Sequence, residues 1–159
     1  MKITIVAVGR IKEKYLTDAV TEYAKRLGRY CRLEIVEVPD ERTPDGASEA
    51  VEAKIREREG ERILQKIPEG AYMIALAIDG HAPDSVELAR QMERWNVGGV
   101  SHMVFVIGGS LGLSNEVLAR ADYQLSFSRM TFPHQLMRVI LLEQIYRSFR
   151  IRNHEPYHK

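Results

Sequence analysis

The side chains of this 159-residue chain that could do chemistry gather in three short segments and a terminal cluster. The segments are Asp79-Gly80-His81, Gly108-Gly109-Ser110-Leu111-Gly112-Leu113-Ser114, and Ser128 through His134, and each follows an apolar run. In the second, glycines at 108, 109 and 112 let the backbone approach a flat ligand, while Ser114 is placed to cap a helix with Glu116 in its first turn. The same glycines also suit a plain turn, and the loop has no Lys to hold a triphosphate. In the third, Phe127, Met130 and Phe132 put large apolar groups beside Ser and Thr donors. That mixture suits either a cofactor pocket or a loop plugging the core. The cluster NHEPYHK ends with Tyr157, His158 and Lys159: an aromatic platform, a group titrating near neutrality and a charge. It reads either as an inert tail or as equipment for handling a nucleobase. His134 either caps or packs at its helix start, and His81, His102 and His154 have no metal-ligand spacing, so no metal is assigned. GxxxxGK[ST], GxGxxG and HExxH are absent, which removes the main support for the common nucleotide and zinc readings.

Segments at the ends of strands need a sheet to position them. Lys2–Val8 and Leu33–Val38 read as strands, and Leu16, Val20, Tyr23 and Leu27 mark one face of a helix between them. Asp40–Ser48 is the one long loop. A helix then runs from Ser48 to Ile67, where EAKIREREGER alternates in sign as a solvated face does. The strands Tyr72–Ile78 and Met103–Ile107 are continuously apolar, as expected when both faces are covered, and between them Leu88, Met92 and Trp95 share a helix face. In a fifth strand, Tyr123, Leu125 and Phe127 alternate with Gln124, Ser126 and Ser128. Strands alternating with helices predict an α/β domain of three layers, an open parallel-type sheet with helices on both faces. Its ligands belong at the carboxyl ends of the strands, where the three segments lie. The last helix, from about Pro133 to Arg152, begins with LMRVILL, in which Arg138 is the only polar residue. Two turns apolar all round need cover beyond one sheet face, either within the domain or from a second copy.

Length and composition fit one soluble domain over residues 1–159, with 45% hydrophobic and 28% charged residues. A single cysteine, Cys31, excludes an internal disulfide and fits a reducing cytosol. The apolar runs are too short to span a membrane, and the N-terminus lacks the cleavage pattern of a signal peptide. The net charge of +1 hides a partition: residues 1–32 carry eight basic against three acidic side chains, and residues 129–159 six against two. From this, Lys12, Lys14, Arg26, Arg147, Arg150, Arg152 and Lys159 are expected to form a phosphate-facing surface.

The segments VIGGSLGLS, LSFSRMTFPHQLMRVILLEQIYRSFRI, NHEPYHK and the opening ITIVAVGRIKEKY closely resemble the RlmH family, the small bacterial SPOUT-class methyltransferases. The similarity runs essentially from Met1 to Lys159 and includes EVPDE and EREGERIL. The resemblance implies a C-terminal trefoil knot, S-adenosylmethionine bound in it, a cytoplasmic homodimer, and 23S ribosomal RNA in assembled ribosomes as substrate, methylated at N3 of a pseudouridine in helix 69. It places cofactor binding on Leu76, Gly108, Phe127, Ser128, Arg129, Met130, Thr131 and Phe132, and puts Tyr157 and His158 beside the reaction. In such a dimer, the tail of one subunit would meet the cofactor loop of the other, giving a composite site. A non-catalytic ribosome-binding factor on the same fold, or a generic nucleotide-binding module, are the alternatives.

Overall fold

The computed structural model describes all 159 residues. Five parallel strands, β1 (Lys2–Val8), β2 (Arg32–Val38), β3 (Tyr72–His81), β4 (His102–Ile107) and β5 (Tyr123–Leu125), form one sheet in the order β2-β1-β4-β3-β5. The register sets Ile5 opposite Ile35 on one side and Phe105 on the other, and Phe105 opposite Ile74. Because successive side chains leave a strand on opposite faces, β1 and β4 feed two cores. Ile3, Ile5, Met103 and Phe105 face helices α1 (Lys14–Leu27), α3 (Ser85–Val97) and α5 (His134–Arg152). Val6, Val8, Val104 and Val106 face α2 (Glu49–Leu64) and α4 (Asn115–Arg120). This is the three-layer arrangement expected, and each fully buried Ile, Leu or Phe in it contributes about 1.5–3 kcal/mol.

Short polar side chains start three of the helices. Ser48 accepts from the Val51 amide, Ser114 from the Val117 amide, and Asp84 and Glu87 form a reciprocal capping box. Leu88, Met92 and Trp95 are buried together as their spacing predicts.

Several local expectations change. β3 does not end at Ile78 but continues to His81, which pairs with Leu125 after a register shift beyond Leu76. Asp79-Gly80-His81 is therefore strand, not a loop at the end of one. Gly80 makes the bulge possible, since a Cβ there would lie 2.6 Å from the Gln124 carbonyl oxygen. β5 has only three residues, so Phe127 lies beyond it, and Ser126 is buried instead of lining a polar face. α2 stops at Leu64, and its charged run is not wholly solvated: Ile55, Glu59, Gly60 and Ile63 are buried. A Cβ on Gly60 would come 2.5 Å from Ser114 Oγ, so this glycine lets α2 close on the loop before α4. Pro133 precedes α5 as its N-cap residue instead of sitting in the first turn. Arg138, the lone polar residue of LMRVILL, is the largest fully buried side chain of the chain.

Candidate functional site

The middle of β3, the carboxyl end of β4, the glycine loop and the segment after β5 enclose a cavity of about 530 Å³. Its walls include Leu76 and Ile78 from β3, Gly108, Gly109 and Gly112 from the loop, Phe127, Met130 and Phe132 from the last segment, and His134 and Met137 from α5. This volume and apolar lining suit a small ligand with a flat ring. The glycine loop is closed on itself by a bridge between Gly109 and Gly112, with Gly112 at a φ of 82°. A Cβ on Gly108 would lie 2.9 Å from the Gly112 carbonyl carbon, and one on Gly109 would lie 3.2 Å from Glu59 Oε1. Only glycines leave that wall thin. The segment after β5 holds itself: Ser126 Oγ donates to the Ser128 carbonyl at 3.3 Å, and Ser128 Oγ accepts from the Met130 amide at 2.9 Å.

Two ionisable groups flank the cavity. Burial, aided by the Arg138 guanidinium, pushes the His134 imidazole below its usual range and favours the neutral ring. Behind the glycine loop, Glu59 is 4% exposed; Oε2 accepts from the Glu41 amide at 2.9 Å and Oε1 has no partner. Burial pushes this carboxyl up.

The cavity brings together seven of the eight residues expected to hold a cofactor: Leu76, Gly108, Phe127, Ser128, Met130, Thr131 and Phe132. Arg129 is exposed and does not line it. Tyr157 and His158 are not brought there either. His154, at a φ of 55°, turns the chain back, and Arg150 clamps it by donating to the Glu155 carboxylate at 2.9 Å and the Pro156 carbonyl at 3.0 Å. The tail thus lies on the second half of α5. The Tyr157 ring meets Tyr146 edge-on at 5.0 Å and lies 4.8 Å under the Arg147 guanidinium, and its hydroxyl donates to Glu143 Oε1 at 3.3 Å. Arg147 forks onto Glu143 at 2.6 and 3.0 Å and reaches His158 Nδ1 at 3.0 Å. Along α5, Arg147 is about 20 Å from the cavity-lining His134, at 1.5 Å per residue.

Sequence reasoning missed Glu143 and assigned Arg147 only to the phosphate-facing surface, although their i, i+4 spacing with NHEPYHK downstream is a signal that they pair. It included His134 at the end of a candidate segment, as a capping or packing residue, and missed Met137 as a cavity wall. The cationic surface is also less free than the residue count suggests. Lys14, Arg26, Arg147 and Arg150 are paired with Asp18, Glu22, Glu143 and Glu155, and Arg152 lies over Phe149. Lys12 and Lys159 are exposed and make no ion pair. No three His, Cys, Asp or Glu side chains are grouped to hold a metal ion, and no helix is long and apolar enough to cross a membrane.

A family model described as "Predicted SPOUT methyltransferase" matches residues 1–158. Ribosomal RNA large subunit methyltransferase H of Bifidobacterium animalis subsp. lactis is 58% identical over 159 residues, which is all of both chains. The proteins of that name from Bifidobacterium adolescentis and Clostridioides difficile are each 59% identical over the same full lengths. Among solved structures, a probable methylase family protein from Haemophilus influenzae shares the fold at a TM-score of 0.51 and 14% identity, over 96% of this chain and 66% of its own. A Legionella pneumophila protein solved in complex with the bound cofactor SAM does so at 0.51 and 13%, over 94% and 66%.

Proposed function

The chain belongs to the SPOUT methyltransferase family, and on that premise we propose that it methylates large-subunit ribosomal RNA with S-adenosylmethionine, at N3 of a pseudouridine in helix 69 of assembled ribosomes. The observation that carries this reading is the cavity that unites Leu76, Gly108, Phe127, Ser128, Met130, Thr131 and Phe132. These residues fit the cofactor: the apolar side chains make a slot for a flat base, and Gly108 lets the ligand approach the main chain. Ser128 and Thr131 add polar groups. When bound, S-adenosylmethionine supplies a sulfonium methyl: the carbon–sulfur bond breaks with its electron pair left on sulfur, the N3 lone pair forms the new carbon–nitrogen bond, and the N3 proton leaves. The chain's own task is to align the attacking atom and exclude competing water, and proximity supplies much of the rate.

The working unit in this reading is a cytoplasmic homodimer of one-domain subunits, residues 1–159, with the C-terminal part tied in a trefoil knot. Two observations support the pairing. Leu136 is exposed and Val139 and Ile140 are half-buried on α5, an apolar stretch that a second copy would cover. Tyr157 and His158 lie far from their own cavity, so they serve chemistry only if a partner presents them to the other subunit's cofactor loop.

The test is incubation with methyl-labelled S-adenosylmethionine and, separately, intact ribosomes, free large subunits and naked 23S rRNA. Label at one pseudouridine of the intact ribosome is the expected result. Binding to ribosomes without label in any RNA overturns the enzyme reading in favour of a non-catalytic ribosome-binding factor.

A further inference from the structure

We propose that His158 serves methyl transfer as a hydrogen-bond donor through Nε2–H, not as the base that takes the N3 proton, and that Arg147 is the positioning residue that sets this tautomer. The inference rests on the reading above, in which the tail serves the site of a second copy.

A guanidinium has five N–H donors and no acceptor. Arg147 meets His158 Nδ1 at 3.0 Å, so that nitrogen must supply a lone pair. A neutral imidazole carries one ring proton, which therefore sits on Nε2.

Arg147 is held to this duty from three sides. Its Nε and second NH2 group fork onto Glu143 at 3.0 and 2.6 Å, and this contact raises its already high pKa and keeps it charged. Its planar face lies 4.8 Å from the Tyr157 ring. Tyr157 spends its own proton on Glu143 at 3.3 Å. The remaining nearby ionisable groups are Tyr23 of α1, which affects both Arg147 and Tyr157, and Lys159 at the end of the tail. None accepts from His158. The outcome is a ring whose acceptor side is occupied and whose donor side is exposed.

A donor is useful in this reaction. When N3 of the pseudouridine loses its proton, negative charge spreads onto the flanking carbonyl oxygens O2 and O4. An N–H aimed at one of them stabilises the anion whose N3 lone pair attacks the methyl carbon. The proton passes to water, and none changes hands at His158. Removing one such preorganised donor from an enzyme site costs about 10²–10³ in rate.

The first test does not depend on turnover. With the full-length protein labelled with 15N-histidine, two-bond proton–nitrogen correlation spectra should show His158 protonated on Nε2 and bare on Nδ1. Arg147→Ala should weaken that preference toward that of a free imidazole, which itself leans to Nε2–H. A Nδ1–H tautomer in the wild type, or an unchanged preference in Arg147→Ala, overturns the proposal. The second test compares two variants on ribosomes. His158→Ala should lose about 10²–10³ in kcat, whereas His158→Gln, whose amide N–H stands where Nε2–H stood but which is no base, should recover to within about tenfold of wild type. Equal loss in both overturns the proposal alone, provided the tail is needed. Full turnover after removal of residues 157–159 overturns the underlying reading and the proposal with it.

Discussion

The guanidinium of Arg138 and the carboxylate of Glu37 meet at 2.5 Å where α5 crosses the end of β2, with the Arg138 side chain 2% exposed and that of Glu37 39% exposed. Arg138 also donates to the Gly9 carbonyl at 3.3 Å, while its Nε has no partner. This unequal burial predicts unequal costs. Glu37→Ala leaves a buried cation without a counter-charge and should destabilise by about 2–4 kcal/mol, because desolvation of the arginine is no longer offset. Arg138→Met leaves a carboxylate that water can reach, and should cost only about 1–2 kcal/mol. Urea denaturation of both variants and the double mutant tests this. The double mutant should lie closer to Arg138→Met than to Glu37→Ala.

The glycine loop predicts a graded series. Gly108→Ala forces a methyl to 2.9 Å from backbone at Gly112, which cannot move without opening the loop. Gly109→Ala meets Glu59 and Val8 side-chain atoms at 3.2 Å, which can yield by a few tenths of an ångström. Calorimetric titration with S-adenosylmethionine should show affinity falling by more than about tenfold for Gly108→Ala, equivalent to about 1.4 kcal/mol, and by less for Gly109→Ala.

Glu59 predicts a pH signature. Its folded-state pKa is raised above the ordinary 4.5 by burial, so the folded protein binds more protons at this site than the unfolded chain does. Stability from this group is present below pH 4.5 and is lost as pH rises through the folded value. Glu59→Gln keeps an oxygen for the Glu41 amide and removes that loss. It should therefore be more stable than wild type at neutral pH, with the advantage shrinking toward pH 4, as read by paired thermal melts across that range. A constant difference at all pH values would sink this account.

Much of the fold could be read in advance, for reasons visible in particular residues. Leu88, Met92 and Trp95 repeat at helical spacing, so periodicity assigns their face, and the continuously apolar run Met103–Ile107 marks a strand covered on both sides, as its split between the two cores shows. Periodicity fails where one residue breaks the pattern for a tertiary reason. Gly80 permits a bulge against Gln124 that carries β3 past Ile78, and only the position of β5 makes that bulge necessary. Glu59 and Gly60 sit in a run of alternating charge, yet they face the glycine loop, and a sign pattern carries no information about which charges turn inward. Motif resemblance picks out Leu76, Gly108 and Phe127–Phe132, all of which line the cavity except Arg129, whereas strand-end reasoning points as well to Asp79-Gly80-His81, which lies within β3 and does not line it. The tail is the reverse case. NHEPYHK was noticed, but its partners Glu143 and Arg147 follow only from the turn at His154, and its distance from its own cavity follows from the length of α5.

That distance makes the composite site testable by complementation. If each active centre takes its cavity from one subunit and its tail from the other, Gly108→Ala should fail through the cavity, and deletion of 157–159 through the tail. Mixing the two separately inactive proteins and allowing subunits to exchange should yield heterodimers with one centre that has an intact cavity and an intact partner tail. About half the dimers in an equal mixture with random exchange carry that centre, so methylation should return to roughly a quarter of the wild-type rate if both wild-type centres work, and to roughly half if only one works at a time. Ile140→Glu introduced into both partners places charges on the apolar part of α5 and should abolish the recovery while shifting the protein to monomers in light scattering. Activity that stays absent in the mixture, with exchange verified by mass, would show that the tail acts on its own subunit and would require α5 and the tail to rearrange to bring His158 to its own cavity.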